Sequence, residues 1–256
     1  MLLLADREIG NQPYRQESRP FVFVLPTTSV PFLSLAQSAL GSRHHQTLGD
    51  HKNPLLALIA RQLLAMLARV CLVLDLEGVE LQDQFIVREL GWCDWTGRHS
   101  GHVHYHPSVP YPEDWKERRQ IRFVRRHIHG LPYYPHGYEK ARPAVQLEHD
   151  VKRLVEQFQR PDKNVVAYKG GHYEKDLLER WGIPHFNLEQ AHCPKFNTMT
   201  RLRYASSCGC HDDPFRHHCP QMECYHFVHW MRGQMGLDRD LNFVHTDRVH
   251  RFTTCT

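Results

Sequence analysis

The sequence lacks an uninterrupted apolar run of membrane-spanning length. Its most hydrophobic stretch, 55–74, is broken by Arg61 and Arg69 and runs straight into Asp75. A secretory start is also missing, because the short apolar run of MLLLADREIG has no basic residue before it and ends at Asp6. An intracellular protein without membrane contact is expected, with cytoplasm and nucleus undistinguished. Internal repeats and low-complexity tracts are absent too. Cysteine is scarce before the last quarter, where only Cys71 and Cys93 occur. The other six (Cys193, Cys208, Cys210, Cys219, Cys224 and Cys255) crowd together among histidines, and without a secretory context such crowding reads as zinc before disulfide. Charge of one sign is not in large excess: the net charge of +4 and pI near 8.6 fit a polyanionic partner without demanding one.

What the chain has in abundance is histidine, 21 copies in 256 residues. Histidine is the commonest metal ligand and a proton shuttle near neutral pH, so the excess points toward metal chemistry. The hydrophobic content of 41% is ordinary for a folded core.

The first fifty or so residues show no clear period and read as an arm with little core of its own. Helical spacing begins in NPLLALIARQLLAMLARV, with Asn53 as N-cap and Pro54 at the first helical position. It gives way to the strand that carries Asp75. DQFIVRELGWCDW and GHVHYHPSV, separated by the turn-like TGRHSG, complete an antiparallel meander. The apolar positions of PAVQLEHDVKRLVEQF again have helical spacing. NVVAY then reads as a strand, HYEKDLLERWG as a helix stopped by Gly182, IPHFNLE as a short strand, and the segment from Pro220 to about Met235 as a last helix. Strands that alternate with helices after a meander predict an α/β fold, a mixed sheet flanked by helices.

In CLVLDLEGVE, Asp75 and Glu77 stand one residue apart at the end of an apolar run. Strand residues i and i+2 share a face, and like charges so close favour protonation of one unless a cation lies between them. A strand that merely reaches solvent is the alternative, so the reading depends on further ligands. Glu174 is expected in the first turn of the helix after NVVAYKGG, where sheets of this kind bring helix starts to the carboxyl ends of strands. His218 and Glu223 are five residues apart around Pro220, which places His218 on the entering loop and Glu223 in the first turn of the last helix.

In that order, Asp-x-Glu on a first strand, an acid opening a helix after a later strand, and His-x-x-x-x-acid at a last helix resemble the DEDDh family of 3′-to-5′ exonucleases. The resemblance covers about Val70 to Met235, and HIHGL, 127–131, is similar to a histidine-glycine turn common in that family. It implies a ribonuclease H-like fold with a mixed five-stranded sheet, and a two-metal hydrolysis of phosphodiester bonds. Two Mg²⁺ or Mn²⁺ ions about 3.5–4 Å apart would flank the scissile phosphate. Asp75 would bridge them, Glu77 and Glu223 would complete one site, Glu174 would support the other, and His218 would take a proton from the attacking water. The third and last acids here are glutamate where aspartate is usual. Coronavirus proofreading exoribonucleases share the third; Glu223 is the rarer change, and its extra methylene alters reach. YKGGHYE replaces the usual histidine-asparagine segment, and its glycines either admit a nucleotide closely or form a tight turn. The implied organisation is an arm over 1–52, an exonuclease-like domain over 53–238 with a zinc insert at 192–224, and a tail over 239–256.

The segment CGCHDDPFRHHCPQMEC is dense in the ligands that zinc prefers in tetrahedra. It resembles the exonuclease domain of arenavirus nucleoproteins, where a structural zinc lies beside the catalytic histidine. That resemblance implies Cys208, His211 and Cys219 as ligands. Cys193 is the choice for the fourth, with Cys210, His217 and Cys224 as competitors. The alternative is that these are free, buried thiols.

Basic residues cluster from Lys116 to Arg126, interleaved with Trp115, Ile121 and Phe123. Arg118, Arg122, Arg125 and Arg126 suit the phosphates of RNA or single-stranded DNA, and Tyr133, Tyr134 and Tyr138 suit base stacking; a solvated helix face is the alternative. The expected function is a metal-dependent 3′-to-5′ exonuclease with a structural zinc. The competing expectation is an inactive exonuclease fold kept as a nucleic-acid or protein interaction module.

Overall fold

The computed structural model describes residues 54–237 except 138, 203–206, 212 and 214–215. The expected arm over 1–52, the Asn53 cap, Tyr138 and the tail with Cys255 lie outside the described residues. The elements run α1 (Pro54–Ala68), β1 (Val70–Leu81), β2 (Gln84–Asp94), β3 (Ser100–His106), α2 (Trp115–His127) and β4 (Arg142–Pro143). They continue with α3 (Leu147–Phe158), β5 (Val165–Tyr168), α4 (His172–Arg180), β6 (His185–Asn187) and α5 (Pro220–Gln234). The strands form one mixed sheet in the order β4-β3-β2-β1-β5-β6, flanked by helices. β1, β2 and β3 are antiparallel neighbours, and the remaining pairings are parallel.

The sheet thus has six strands where the sequence led us to expect five. The sixth, β4, is two residues long and too short to leave an alternating pattern. It pairs with β3 at Tyr105 and is held there by Asp150, which forms an ion pair with Arg142 and accepts a hydrogen bond from the Tyr105 hydroxyl at 3.0 Å.

β1 is central, and its two faces belong to different layers. Leu72, Leu74 and Leu76 pack with Val151, Leu154 and Phe158 of α3. Val70 and Val73 pack with Leu67 of α1 and with Met222, Phe227 and Met231 of α5. Farther along, Val79 and Leu81 pack with Ile121 and Val124 of α2. Each such side chain, fully buried, contributes roughly 1.5–3 kcal/mol, so these contacts fix where the helices sit. Alternation along the strand then puts Asp75 and Glu77 on the face of Val73 and Val79, between the ground covered by α5 and that covered by α2.

The β1–β2 hairpin turns on two residues with positive φ, Gln82 (50°) and Asp83 (60°), the conformation a two-residue type I′ turn requires. From the turn, pairing proceeds evenly to Gly78 opposite Val87, and then it slips: Glu77 stands opposite Glu89, leaving Arg88 as the extra residue of a β-bulge. The guanidinium of Arg88 is buried. It donates to the carbonyls of Tyr105 and Pro132 and lies 3.6 Å from the Glu139 carboxylate. Beyond the bulge, two cross-strand rows share one face: Glu77, Glu89 and His104, and beside it Asp75, Gly91 and His102.

Candidate functional site

Four acids and a histidine meet at the β1 end of these rows. Asp75 is 7% exposed and Glu77 is half-buried. Beyond Val73, β5 no longer pairs with β1, so the edge of β1 is open there. Glu174, in the first turn of α4 after β5, fills this opening: its buried carboxylate accepts hydrogen bonds from its own backbone N–H and from that of Leu76, between the two β1 acids. Glu223 arrives from the other side, in the first turn of α5, with Pro220 at the helix start as the sequence predicts.

Gly91 is what lets α5 come so close. A Cβ on it would stand 2.2 Å from the carbonyl carbon of Pro220 and 2.3 Å from the amide nitrogen of Gln221. The start of α5 therefore rests directly on β2, opposite Asp75 in the register. From the loop before it, His218 Nδ1 reaches Glu223 Oε1 at 2.6 Å, and donor atoms of Glu77, His218 and Glu223 all lie within 4.8 Å of one another. His218 itself is 43% exposed in its side chain, so it is free to meet a substrate.

The electrostatics answer why like charges are held together. Burial pushes the Asp75 carboxyl well above its usual range, and the charges of Glu223, Glu174, Glu77 and Glu89 push it further. Glu77 is raised for the same reasons, burial first and then Glu223 and Glu89. Burial raises Glu174 to about 7. His218 is raised chiefly by its hydrogen bond to Glu223. The charges acting most on Asp75 are all carboxylates. A cation among these oxygens would let them ionise together, and a carboxylate-rich donor set suits a hard divalent ion.

A second group lies one strand away. Ligand atoms of Glu89, Cys208, His211 and Cys219 fall within 4.8 Å of one another, a set compatible with a metal ion. His211 Nδ1 meets the His129 carbonyl and Nε2 meets Glu89 Oε2 at 2.8 Å, so both ring nitrogens face oxygen acceptors, and a metal beside Glu89 would take the Nε2 lone pair in place of that hydrogen bond. Backbone N–H groups of Cys208 and Cys210 donate to the sulfurs of Cys219 and Cys208, each at 3.4 Å. Hydrogen bonds to Cys210 and Cys219 raise the Cys208 thiol, and the bond to Cys208 lowers Cys219 to about 5. Glu89 is fully buried. Burial alone would raise it, but the hydrogen bond from His211 and the facing His104 imidazole hold it below the usual carboxylate range.

Three of the four expected ligands of this group, Cys208, His211 and Cys219, are brought together. Cys193 is not: it lies in the apolar core with Phe196 and Met222, and burial raises its thiol to about 12. Glu89 stands in its place. Cys224 also belongs to that core, with its thiol on the Gly91 carbonyl. Cys210 sits with His102 and His104 instead, and His217 lines a basic cleft.

That cleft, about 730 Å³, is walled by the last turns of α2 and by Arg216 and His217, next to His218. Arg122, Arg125 and Arg126 line it, as does Arg119, whereas Arg118 is exposed but does not. Phe123 lines it too and is 53% exposed. Tyr133 is not available for stacking, because it is buried and its hydroxyl donates to the Val109 carbonyl at 2.9 Å; Tyr134 is half-exposed. Gly170 has φ 123°, which a turn needs glycine to supply, and a Cβ on either Gly170 or Gly171 would meet open space.

Sequence reasoning missed Glu89, His102, His104 and Arg216. The signal for Glu89 was a lone acid inside the apolar FIVRELGW, a residue type seldom buried without a partner. No family model matches the chain, and no curated protein matches it.

Proposed function

We propose that this protein is a metal-dependent 3′-to-5′ exonuclease of the DEDDh type, with a ribonuclease H-like fold, acting on RNA or single-stranded DNA. The observation that carries the reading is the convergence of Asp75, Glu77, Glu174 and Glu223 from β1, α4 and α5, with His218 2.6 Å from Glu223. Mg²⁺ or Mn²⁺ held by these carboxylates would supply the Lewis-acid stabilisation that phosphodiester hydrolysis requires. Asp75, more buried than Glu77 on the same strand, is the bridging candidate. Glu174 is anchored by the Leu76 N–H, so its carboxylate has one orientation toward the ions. His218, partly exposed and on a loop, takes the proton of the attacking water; its bond to Glu223 in the metal-free protein holds it within reach of that position.

The group of Glu89, Cys208, His211 and Cys219 is the structural zinc site in this reading, since two thiolates, an imidazole and a carboxylate make a closed tetrahedral set. It pins the loop that presents His218, because Cys219 is both a ligand and the N-cap of α5. The cleft of Arg119, Arg122, Arg125, Arg126 and Arg216 adjoins His218, and an approaching phosphate backbone finds its counter-charges there.

Digestion of 5′-labelled single-stranded RNA and DNA with Mg²⁺ or Mn²⁺ tests the proposal. A ladder that shortens from the 3′ end and is abolished by Asp75→Ala and Glu223→Ala is the expected result. If zinc-loaded, folded protein retards the label in a gel but never shortens it, the fold acts as a binding module and the enzymatic reading fails.

A further inference from the structure

We infer that the chain holds a second zinc ion at His102, His104 and Cys210, distinct from the Glu89 group. Donor atoms of these three residues lie within 4.8 Å of one another. His102 and His104 are alternate residues of β3, so they share a face, with ring centroids 5.1 Å apart. Cys210 is delivered from above by the tight turn after Cys208, where Gly209 has φ 76°. The Cys210 sulfur is 3.9 Å from His104 Nδ1, close to the separation of two ligands across a metal with bonds of about 2.0 and 2.3 Å.

Two further observations point to a cation. His102 has an outer-shell acceptor on one ring nitrogen, the arrangement that fixes the tautomer of a metal-bound imidazole. His102 Nδ1 meets Gln221 Oε1 at 2.9 Å, which leaves Nε2 with the lone pair. His104 Nε2 faces Glu89 Oε1 at 3.5 Å, too long for a hydrogen bond, and leaves Nδ1 toward Cys210. Glu139 Oε2, paired with the Arg88 guanidinium at 3.6 Å, lies 3.5 Å from the same His104 Nδ1 and is within reach as a fourth donor.

The sheet rows explain why the sites adjoin. Glu89 uses Oε2 toward His211 and turns Oε1 toward His104, so one carboxylate would serve the first site as ligand and face the second. Gln221 ties the second site to the first turn of α5, two residues before Glu223. A zinc there joins β3, the cysteine-rich turn and α5.

The test is the zinc content of the full chain, purified with zinc and stripped of loosely held metal by gel filtration, measured by mass spectrometry beside circular dichroism. Two zinc ions per chain are expected, falling to one in Cys210→Ser and in His102→Gln while the fold persists. Cys219→Ser should separately lose the other ion. One ion per chain that Cys210→Ser and His102→Gln both retain overturns the inference. One ion that Cys210→Ser loses and Cys219→Ser keeps would uphold the site and instead refute the Glu89 group as a zinc centre. The metal count does not depend on nuclease activity, so the inference stands or falls apart from the proposed reaction.

Discussion

Gly91→Ala is the substitution whose consequence can be worked most directly from the structure. The added methyl would lie 2.2 Å from the Pro220 carbonyl carbon, 2.3 Å from the Gln221 nitrogen and 2.6 Å from the Pro220 oxygen, whereas ordinary contact begins at 3.4 Å. All three neighbours are backbone, so no side chain can rotate away. β2 is bound on both sides by β1 and β3, which leaves the start of α5 to move outward by about 1 Å or more. That shift lifts Glu223 from the acid group and drags Cys219 and His218 with it, while the far end of α5 stays seated in the core through Phe227 and Met231. Overpacking of this kind costs roughly 1–3 kcal/mol, and a displacement of about 1 Å among positioned catalytic groups costs on the order of 10²-fold in rate. The assay pairs a thermal melt with single-turnover cleavage of 5′-labelled RNA at saturating Mn²⁺. We expect a folded variant, melting several degrees lower, that cleaves about 10²-fold more slowly and binds Mn²⁺ more weakly. Unchanged melting temperature with unchanged Mn²⁺ affinity would refute the argument, because it would mean that α5 does not rest on β2 where Gly91 puts it.

The remaining predictions concern charge and metal. Glu174 titrates near 4.5 when unfolded and about 7 in the fold, so the native state binds more protons between those values. The stability that Glu174 contributes is therefore fully present below about 4.5 and is lost as pH rises through about 7, by on the order of 3 kcal/mol at 1.36 kcal/mol per pKa unit. Melting temperature against pH should show this slope, and either Mg²⁺ or Glu174→Gln should flatten it. Cys193→Ser should leave zinc content unchanged while Glu89→Ala releases the ion bound with Cys208, His211 and Cys219; the reverse pattern in a metal count would restore Cys193 as ligand. Arg122→Ala and Arg125→Ala should each weaken binding of single-stranded RNA and lower the slope of log affinity against log salt by roughly 0.7 per lost phosphate contact. Arg118→Ala, outside the cleft, should leave that slope unchanged in fluorescence-anisotropy titrations.

How much of this was legible in the sequence depends on how far apart the cooperating residues are. Asp75 and Glu77 are two positions apart on one strand, and His218 and Glu223 straddle a helix start marked by proline, so local spacing was enough to place them. Glu174 needed only the rule that helix starts gather at strand ends. Glu89 was a different problem. Counting back from the Gln82–Asp83 turn sets Arg88 opposite Glu77, and only the bulge moves Glu89 into that position and onto the metal-facing side. A one-residue slip inverts which side chains face the core, and the sequence carries no glycine or proline at the bulge to announce it. Cys193 misled for a complementary reason. It sits among ligand-like residues in the chain, but its surroundings in the fold are apolar, and burial alone explains it. The basic helix was visible as a charge cluster, yet which of its arginines share the cleft with Arg216 depends on tertiary packing.

The two cross-strand rows also bear on how one sheet face would keep different metals apart. Neighbouring strands are about 4.8 Å apart, so the row of Glu77, Glu89 and His104 passes within three strands from a donor set of oxygens to one of nitrogen and sulfur. Hard ions such as Mg²⁺ and Mn²⁺ take carboxylates and water, whereas thiolates and imidazoles select zinc. On β1 the partners are Asp75, Glu174 and Glu223, all oxygen; on β3 they are His102 and Cys210. Glu89 lies between them, and its charge is already committed to His211 and His104, both of which hold it below the usual carboxylate range. A carboxylate so engaged has little to offer an ion at Asp75. In the proposed reading, the division between an oxygen-rich site and a site of nitrogen and sulfur donors would follow from which strand each donor occupies, and the bulge at Arg88 is what puts Glu89 on the boundary.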